Sequence, residues 1–179
     1  MRSKNIFIIL LLLALTNACV PAVRLDDDLI TTSYLAADIL RGQAVTPIPP
    51  GDTVLVGSFV NIDNLEPSTL GRTVSEMIAS RFTQTGYKVI EMKLRKSVFI
   101  RNKAGGEFML SREVKDLTTE HNAHAVIAGT YAVGTDLIYV KASIVDPATN
   151  IVMSSYDYKL PITPNIRKML GSGVKEFLH

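Results

Sequence analysis

From Thr53 to Met92 the chain sets out an apolar run, an amphipathic helix and a second apolar run with almost no gap between them. Residues 53–60 (TVLVGSFV) are β-branched and apolar on both parities, the pattern of a short strand buried on both faces. Residues 68–85 carry Leu70, Val74, Met77, Ile78 and Phe82 on one stripe at helical spacing. Ser68 is placed to cap that helix and Gly86 to end it. Residues 87–92 (YKVIEM) then read as a second strand. A strand, a helix and a strand this close bury their apolar faces as a parallel pair with the helix crossing over, so the chain is directed to an α/β sheet.

The remaining pattern extends that unit. Residues 111–122 read as a helix capped by Ser111, with Val114, Leu117 and His121 on one face. Residues 125–133, 137–145 and 151–160 read as three strands, joined by turn-forming segments at 134–136 and 146–150. Upstream, Ile30, Tyr34, Ala37 and Leu40 share a face of a helix over residues 29–40, which Gly42 ends. The loop Pro47-Ile48-Pro49-Pro50-Gly51 separates that arm from the core. Pro161 and Pro164 are expected to close the sheet, and residues 165–177 read as a short tail helix broken by Gly171 and Gly173. The expected fold is α/β: a mixed twisted sheet of about five strands in the order β-α-β-α-β-β-β, with helices on both faces and the last three strands antiparallel.

The first residues belong to a different regime. Arg2 and Lys4 precede the apolar run 6–15 (IFIILLLLAL), which is too short to span a bilayer of roughly 30 Å. Thr16-Asn17-Ala18 follow, then Cys19, the single cysteine in 179 residues. Exported proteins normally use cysteines in pairs, so a lone one at this place needs another purpose. The segment resembles a lipoprotein signal peptide, in which the leader is cut before the cysteine and the thiol is acylated. Thr16 and Asn17 depart from the commonest residues of that pattern, while Ala18 and Cys19 fit it. An ordinary cleavable signal followed by a chance cysteine is the alternative. Each buried CH₂ of an acyl chain adds about 0.8 kcal/mol of membrane affinity, so several chains on Cys19 anchor firmly. Val20, where retained inner-membrane lipoproteins often carry Asp, leans toward the outer membrane by analogy. The acidic run Asp26-Asp27-Asp28 reads as part of a solvated tether. The organisation expected is a signal peptide at 1–18, a lipid-anchored tether and helix at 19–50, an α/β domain at 51–162 and a tail at 163–179.

Charge excludes one broad class. Of 19 Lys and Arg, Arg2 and Lys4 lie in the leader, which leaves 17 against 17 acids in the mature chain. Nucleic-acid binding draws on a cationic surplus, and none remains. A cationic segment persists locally: Lys93, Arg95, Lys96, Arg101 and Lys103, with Phe99 among them. One reading makes it the solvated face of a strand pair, with Leu94, Val98 and Ile100 turned inward. The other makes it a docking patch for acidic protein, lipopolysaccharide phosphate or cell-wall carboxylates.

Catalytic chemistry finds no foothold. His121 and His124 are three apart near a helix C-terminus, where the dipole favours them, and solvated side chains account for the pair better than metal ligation does. Gly57 and Gly105-Gly106 do not form a phosphate loop. No serine stands in a nucleophile-elbow pattern. Gly129-Thr130-Tyr131 within a strand marks a bulge or close packing. The chain is read as a non-enzyme with no catalytic residues, no metal and no cofactor.

Several segments together resemble the FlgO family of flagellum-associated outer-membrane lipoproteins. They are Leu70-Gly71-Arg72, the Gly-Tyr-Lys-Val step at 86–89, Lys-Leu-Arg-Lys-Ser at 93–97, residues 105–117 and Gly129-Thr130-Tyr131, within a likeness covering about residues 33–160. The resemblance implies a lipid-anchored α/β domain facing the periplasm, needed for normal motility. It also implies a fold similar to the amino-terminal domain of TolB and to CsgG-like domains. The partners implied are the outer membrane, through acylated Cys19, and flagellar or other envelope proteins, with homo-oligomerisation open. The alternative function is a lipoprotein activator of cell-wall synthesis or a subunit of an outer-membrane export assembly.

Overall fold

The computed structural model describes residues 29–92, 99–101 and 108–171. Helix α1 (Leu29–Gly42) leads to strand β1 (Thr53–Gly57), β2 (Val60–Asn61), helix α2 (Thr69–Gln84) and β3 (Lys88–Met92). A small pair follows, β4 (Phe99–Arg101) against β5 (Phe108–Leu110), then helix α3 (Arg112–Glu120). The chain finishes with β6 (Ala125–Val133), β7 (Leu137–Val145), β8 (Val152–Pro161) and helix α4 (Pro164–Leu170). The main sheet runs β3-β1-β6-β7-β8, with β2 beside β6. The first three strands are parallel and the last three antiparallel, as the sequence pattern predicts.

The placement of helices follows from this order. β1 is central: the chain crosses from it to β3 through α2, then back past it to β6 through α3. Right-handed crossovers in opposite directions put their helices on opposite faces. One face gathers Ala37 and Leu40 of α1, Leu70, Val74, Ile78 and Phe82 of α2 and Ile166 of α4. They pack against Val54, Val56, Ile127, Ile138, Val140 and Ile144 of the sheet. The other face holds a smaller cluster, in which Val114 of α3 meets Leu55, Val126, Ala128 and Val145. α3 is nine residues long and covers the parallel end of that face.

Local chemistry sets the element ends. The Ser68 hydroxyl accepts from the Gly71 N–H at 3.0 Å, Ser111 from Val114 at 3.4 Å, and Thr163 from Ile166 at 3.3 Å. Each satisfies one of the N–H groups that a helix start leaves unpaired. Gly86, at φ +96°, turns the chain out of α2 into β3. Tyr87 then packs edge-on against Phe82 with ring centres 5.2 Å apart, and its hydroxyl donates to the Ile48 carbonyl.

Three details differ from the periodicity. The first strand does not run unbroken through residue 60. Val56 is opposite Ile127 and Val60 opposite Thr130, four steps on one side against three on the other. One residue must leave the ladder, and Phe59 leaves it to become fully buried. In α1 the buried face is Ser33, Ala36, Ala37 and Leu40, while Ile30 is 50% exposed. The helix approaches the sheet with small residues, so its core face is rotated from the one that large side chains indicate. In α3, Thr118 rather than His121 joins the inner face, and His121 is the exposed C-cap.

Candidate functional site

In an open α/β sheet a ligand crevice forms where successive crossovers diverge, outside the carboxyl ends of the strands. Here that point lies between β1 and β6, and the chain fills it itself. A methyl on Gly71 would meet the Phe59 carbonyl oxygen at 1.9 Å, so α2 rests directly on the Phe59 backbone. A methyl on Gly129 would meet the Phe59 ring at 2.4 Å and the Lys141 carbonyl at 2.4 Å. Phe59 is thus held between two glycines, and its N–H donates to the Gly71 carbonyl at 3.2 Å. Tyr131, beside Ser68, closes the same corner. Burial raises its phenol above the usual range, and the nearby Ser68 hydroxyl acts the other way. The close-packing reading of Gly129-Thr130-Tyr131 agrees with this arrangement. The first turn of α2, the place where nucleotide-binding α/β folds receive a phosphate, is capped by Ser68 and covered by Phe59.

A second hollow of about 280 Å³ lies near the carboxyl ends of β1 and β3, lined by Val56, Ser58, Pro67, Arg72, Ser75, Glu76, Glu91 and Met92. The Ser75 hydroxyl donates to the Arg72 carbonyl at 2.8 Å. The described histidines are at the opposite end of the sheet. His124 directly precedes β6, its N–H donating to the Thr53 carbonyl, and its Nδ1 is 3.6 Å from Asp52 Oδ2. A strand of five residues separates that end from Ser58, roughly 16 Å at 3.3 Å per residue. Ser58 therefore has no described histidine within reach to act as a base. The acid beside His124 is Asp52, brought there by the β1–β6 pairing. Among the described residues no group of three or more His, Cys, Asp or Glu converges as metal ligands.

The residues singled out beforehand lie largely elsewhere. Cys19, Lys93, Arg95, Lys96 and Lys103 are outside the described residues, and Arg101 is described only as the last residue of β4. Among the described residues no helix is long and apolar enough to cross a membrane.

The feature most open to a partner is the part of the sheet that α3 does not cover. A groove of about 770 Å³ crosses β6, β7 and β8; Thr32 of α1, Tyr131 and Tyr158 reach it from the α1 side, and six residues line it from the other, Thr130, Ala132, Tyr139, Lys141, Asp157 and Lys159. By strand alternation these six share the face opposite α1 and α2. Tyr139 is 59% exposed and lies across from Lys159, while Lys141 lies across from Asp157. Sequence reasoning located both strands but did not identify this surface. The signal was there: Tyr139 and Lys141, then Asp157 and Lys159, interrupt the apolar alternation on one parity.

α1 joins the preceding segment to this domain through a polar clasp. Arg81 of α2 donates from Nη2 and Nε to Asp38 at 2.8 and 3.1 Å, and Arg41 approaches the same carboxylate at 3.7 Å. The hydrogen bonds from Arg81 hold the Asp38 carboxyl below its usual range. The Tyr34 ring lies 5.7 Å from the Arg81 guanidinium, and its hydroxyl accepts from Gln84.

The family model for FlgO protein matches residues 33–165. The LpoB C-terminal domain from Escherichia coli superposes with a TM-score of 0.53 at 12% identity, covering 74% of this chain and 98% of that one. The same domain from Salmonella enterica gives 0.52 at 12% identity with the same coverage. At such identity the likeness establishes a common fold. No curated protein sequence matches the chain.

Proposed function

The chain belongs to the FlgO protein family, and from that premise we propose that it is a non-catalytic lipoprotein of the outer membrane that supports flagellar motility through protein contacts in the periplasm. Family membership and the LpoB-like fold support the coarser part of this reading, an accessory lipoprotein of the cell envelope. The observation that carries the rest is the single Cys19 at the end of a short apolar leader, ahead of a domain that matches the family over most of its length. In this reading residues 1–18 are removed, Cys19 takes the acyl chains and residues 20–28 lead to α1. The arm 19–50, the domain 51–162 and the tail 163–179 then form the mature protein. Lys93, Arg95, Lys96, Arg101 and Lys103 form a cationic docking patch for acidic envelope components.

The self-filled crevice at Phe59 supports an activity that needs no bound small molecule. Binding instead falls to surfaces, which suits a protein held against a membrane and meeting partners laterally. A strain lacking the gene is expected to swim poorly while retaining growth, with complementation by the wild-type chain. Labelled palmitate is expected in the wild-type protein and not in Cys19→Ser. Normal swimming by the deletion strain defeats the motility assignment, and an unlabelled wild-type protein defeats the anchor.

A further inference from the structure

β8 is an outer strand: β7 lies on one side of it and no described strand lies on the other. The Ile162 N–H donates to the Asp136 carbonyl across the β7–β8 pair. Antiparallel alternation then turns the backbone groups of residues 156, 158 and 160 toward β7, and those of 155, 157 and 159 outward. Val45 donates to the Met153 carbonyl at the strand's bulged beginning. Beyond that, Ser155, Asp157 and Lys159 are exposed. A long outer strand of this kind is a template for another strand.

Its charges select the occupant. When two β8 strands pair antiparallel about a two-fold axis at Tyr158, Asp157 of each copy meets Lys159 of the other. Both pairs are formed by residues whose N–H and C=O groups already face outward, so each pair exchanges two backbone hydrogen bonds. Neighbouring registers fail: an axis at Asp157 sets that carboxylate against itself, and an axis at Tyr156 gives Asp157 only Ser155. The Pro161 carbonyl receives the Ser155 N–H, and Pro161, having no N–H, ends the ladder.

A helix flank stands at the same edge. α1 lies over β8 and β7, with Ser33, Ala36, Ala37 and Leu40 facing the sheet. Tyr34, Asp38 and Arg41 face α2. On the flank turned away from α2 are Thr32, Leu35 and Ile39, spaced as i, i+3 and i+7, with Leu35 51% exposed. Continuing the sheet through β8 brings the two α1 helices side by side over the seam, each offering this stripe to the other.

We propose that the chain forms a two-fold dimer with a second copy of itself through β8, centred on Tyr158, making one continuous sheet with the α1 helices packed above the joint. The proposal stands apart from the motility assignment, since association is read from mass and not from swimming. The experiment uses the full-length acylated protein in detergent with a reductant, by density-matched sedimentation equilibrium. The wild type is expected to be dimeric. Asp157→Lys and Lys159→Asp, each of which makes two like-charge pairs, are expected to weaken the dimer about tenfold or more. The double swap Asp157→Lys with Lys159→Asp restores both pairs and is expected to return most of the affinity. Circular dichroism confirms that each variant is folded. A wild type that stays monomeric at tens of micromolar, single swaps without effect, or a folded double variant that fails to regain affinity overturns the proposal.

Discussion

Replacing Gly71 or Gly129 by alanine tests whether Phe59 is the keystone of this fold. A Cβ at Gly71 would be 1.9 Å from the Phe59 carbonyl oxygen and 2.8 Å from its carbon, both backbone atoms of a fully buried residue. Contact at van der Waals distance needs more than an ångström of further separation, so α2 has to lift from β1. Lifting also stretches the Phe59 N–H to Gly71 carbonyl bond. Overpacking costs about 1–3 kcal/mol and a lost buried hydrogen bond about 1 kcal/mol more. Against this, alanine in a helix recovers up to about 1 kcal/mol over glycine. The expected net loss for Gly71→Ala is about 1–4 kcal/mol, read by urea denaturation followed by circular dichroism. Phe59→Ala separates two kinds of clash. It removes the ring from position 129, where the clash with the Lys141 carbonyl stays, and leaves untouched the carbonyl that blocks position 71. Gly129→Ala should therefore cost less in the Phe59→Ala background, while Gly71→Ala should cost about as much as before. A Gly71→Ala variant within about 0.5 kcal/mol of wild type, or relief of the Gly71→Ala cost by Phe59→Ala, refutes the reasoning.

Three further outcomes follow from individual contacts. Ser68→Ala removes the cap of α2 and should lower stability by about 1 kcal/mol in the same denaturation assay. Because Arg81 depresses the folded-state pKa of Asp38, the clasp contributes in full above the unfolded carboxylate value near 4 and is lost as pH falls through the lower folded value. Asp38→Asn should thus cost about 0.5 kcal/mol at pH 7, after allowance for its solvent exposure, and little at pH 2, as compared by thermal melts at the two values. The Tyr158 hydroxyl is buried and, although Ser33 of α1 stands nearby, neither oxygen has a partner in hydrogen-bonding geometry. Burial accordingly holds its phenol far above the usual range. Tyr158→Phe should be neutral or slightly stabilising, and a loss above about 1.5 kcal/mol on denaturation would show that the hydroxyl is paired.

Most of the secondary structure was legible because its causes are local. β6 and β7 occupy the very residues that alternation marks, and α2 begins at its Ser68 cap and ends just before the turn at Gly86. The misreadings arise where distant residues decide. Ile30 looks like a core residue on spacing, yet Ser33 and Ala36 take the inner face because α1 must approach β8 closely. His121 follows helical spacing but caps α3 in solvent.

The candidate surfaces divide in the same way. The resemblance rested on Leu70-Gly71-Arg72 and Gly129-Thr130-Tyr131 as strings of letters. Only the fold brings them together, with Phe59 between the two glycines. The bare sheet face and the β8 edge depend on which strands lie outermost and on how far α3 reaches, and no window of sequence contains either fact. The sequence by itself determined the lone cysteine behind its leader, the charge balance, the order of strands and helices and most of their ends. These follow from composition and from interactions within a few residues. Tertiary structure alone decided the strand order, the closed crevice and the open edge, because each is set by long-range pairing that satisfies backbone hydrogen bonds and apolar burial together.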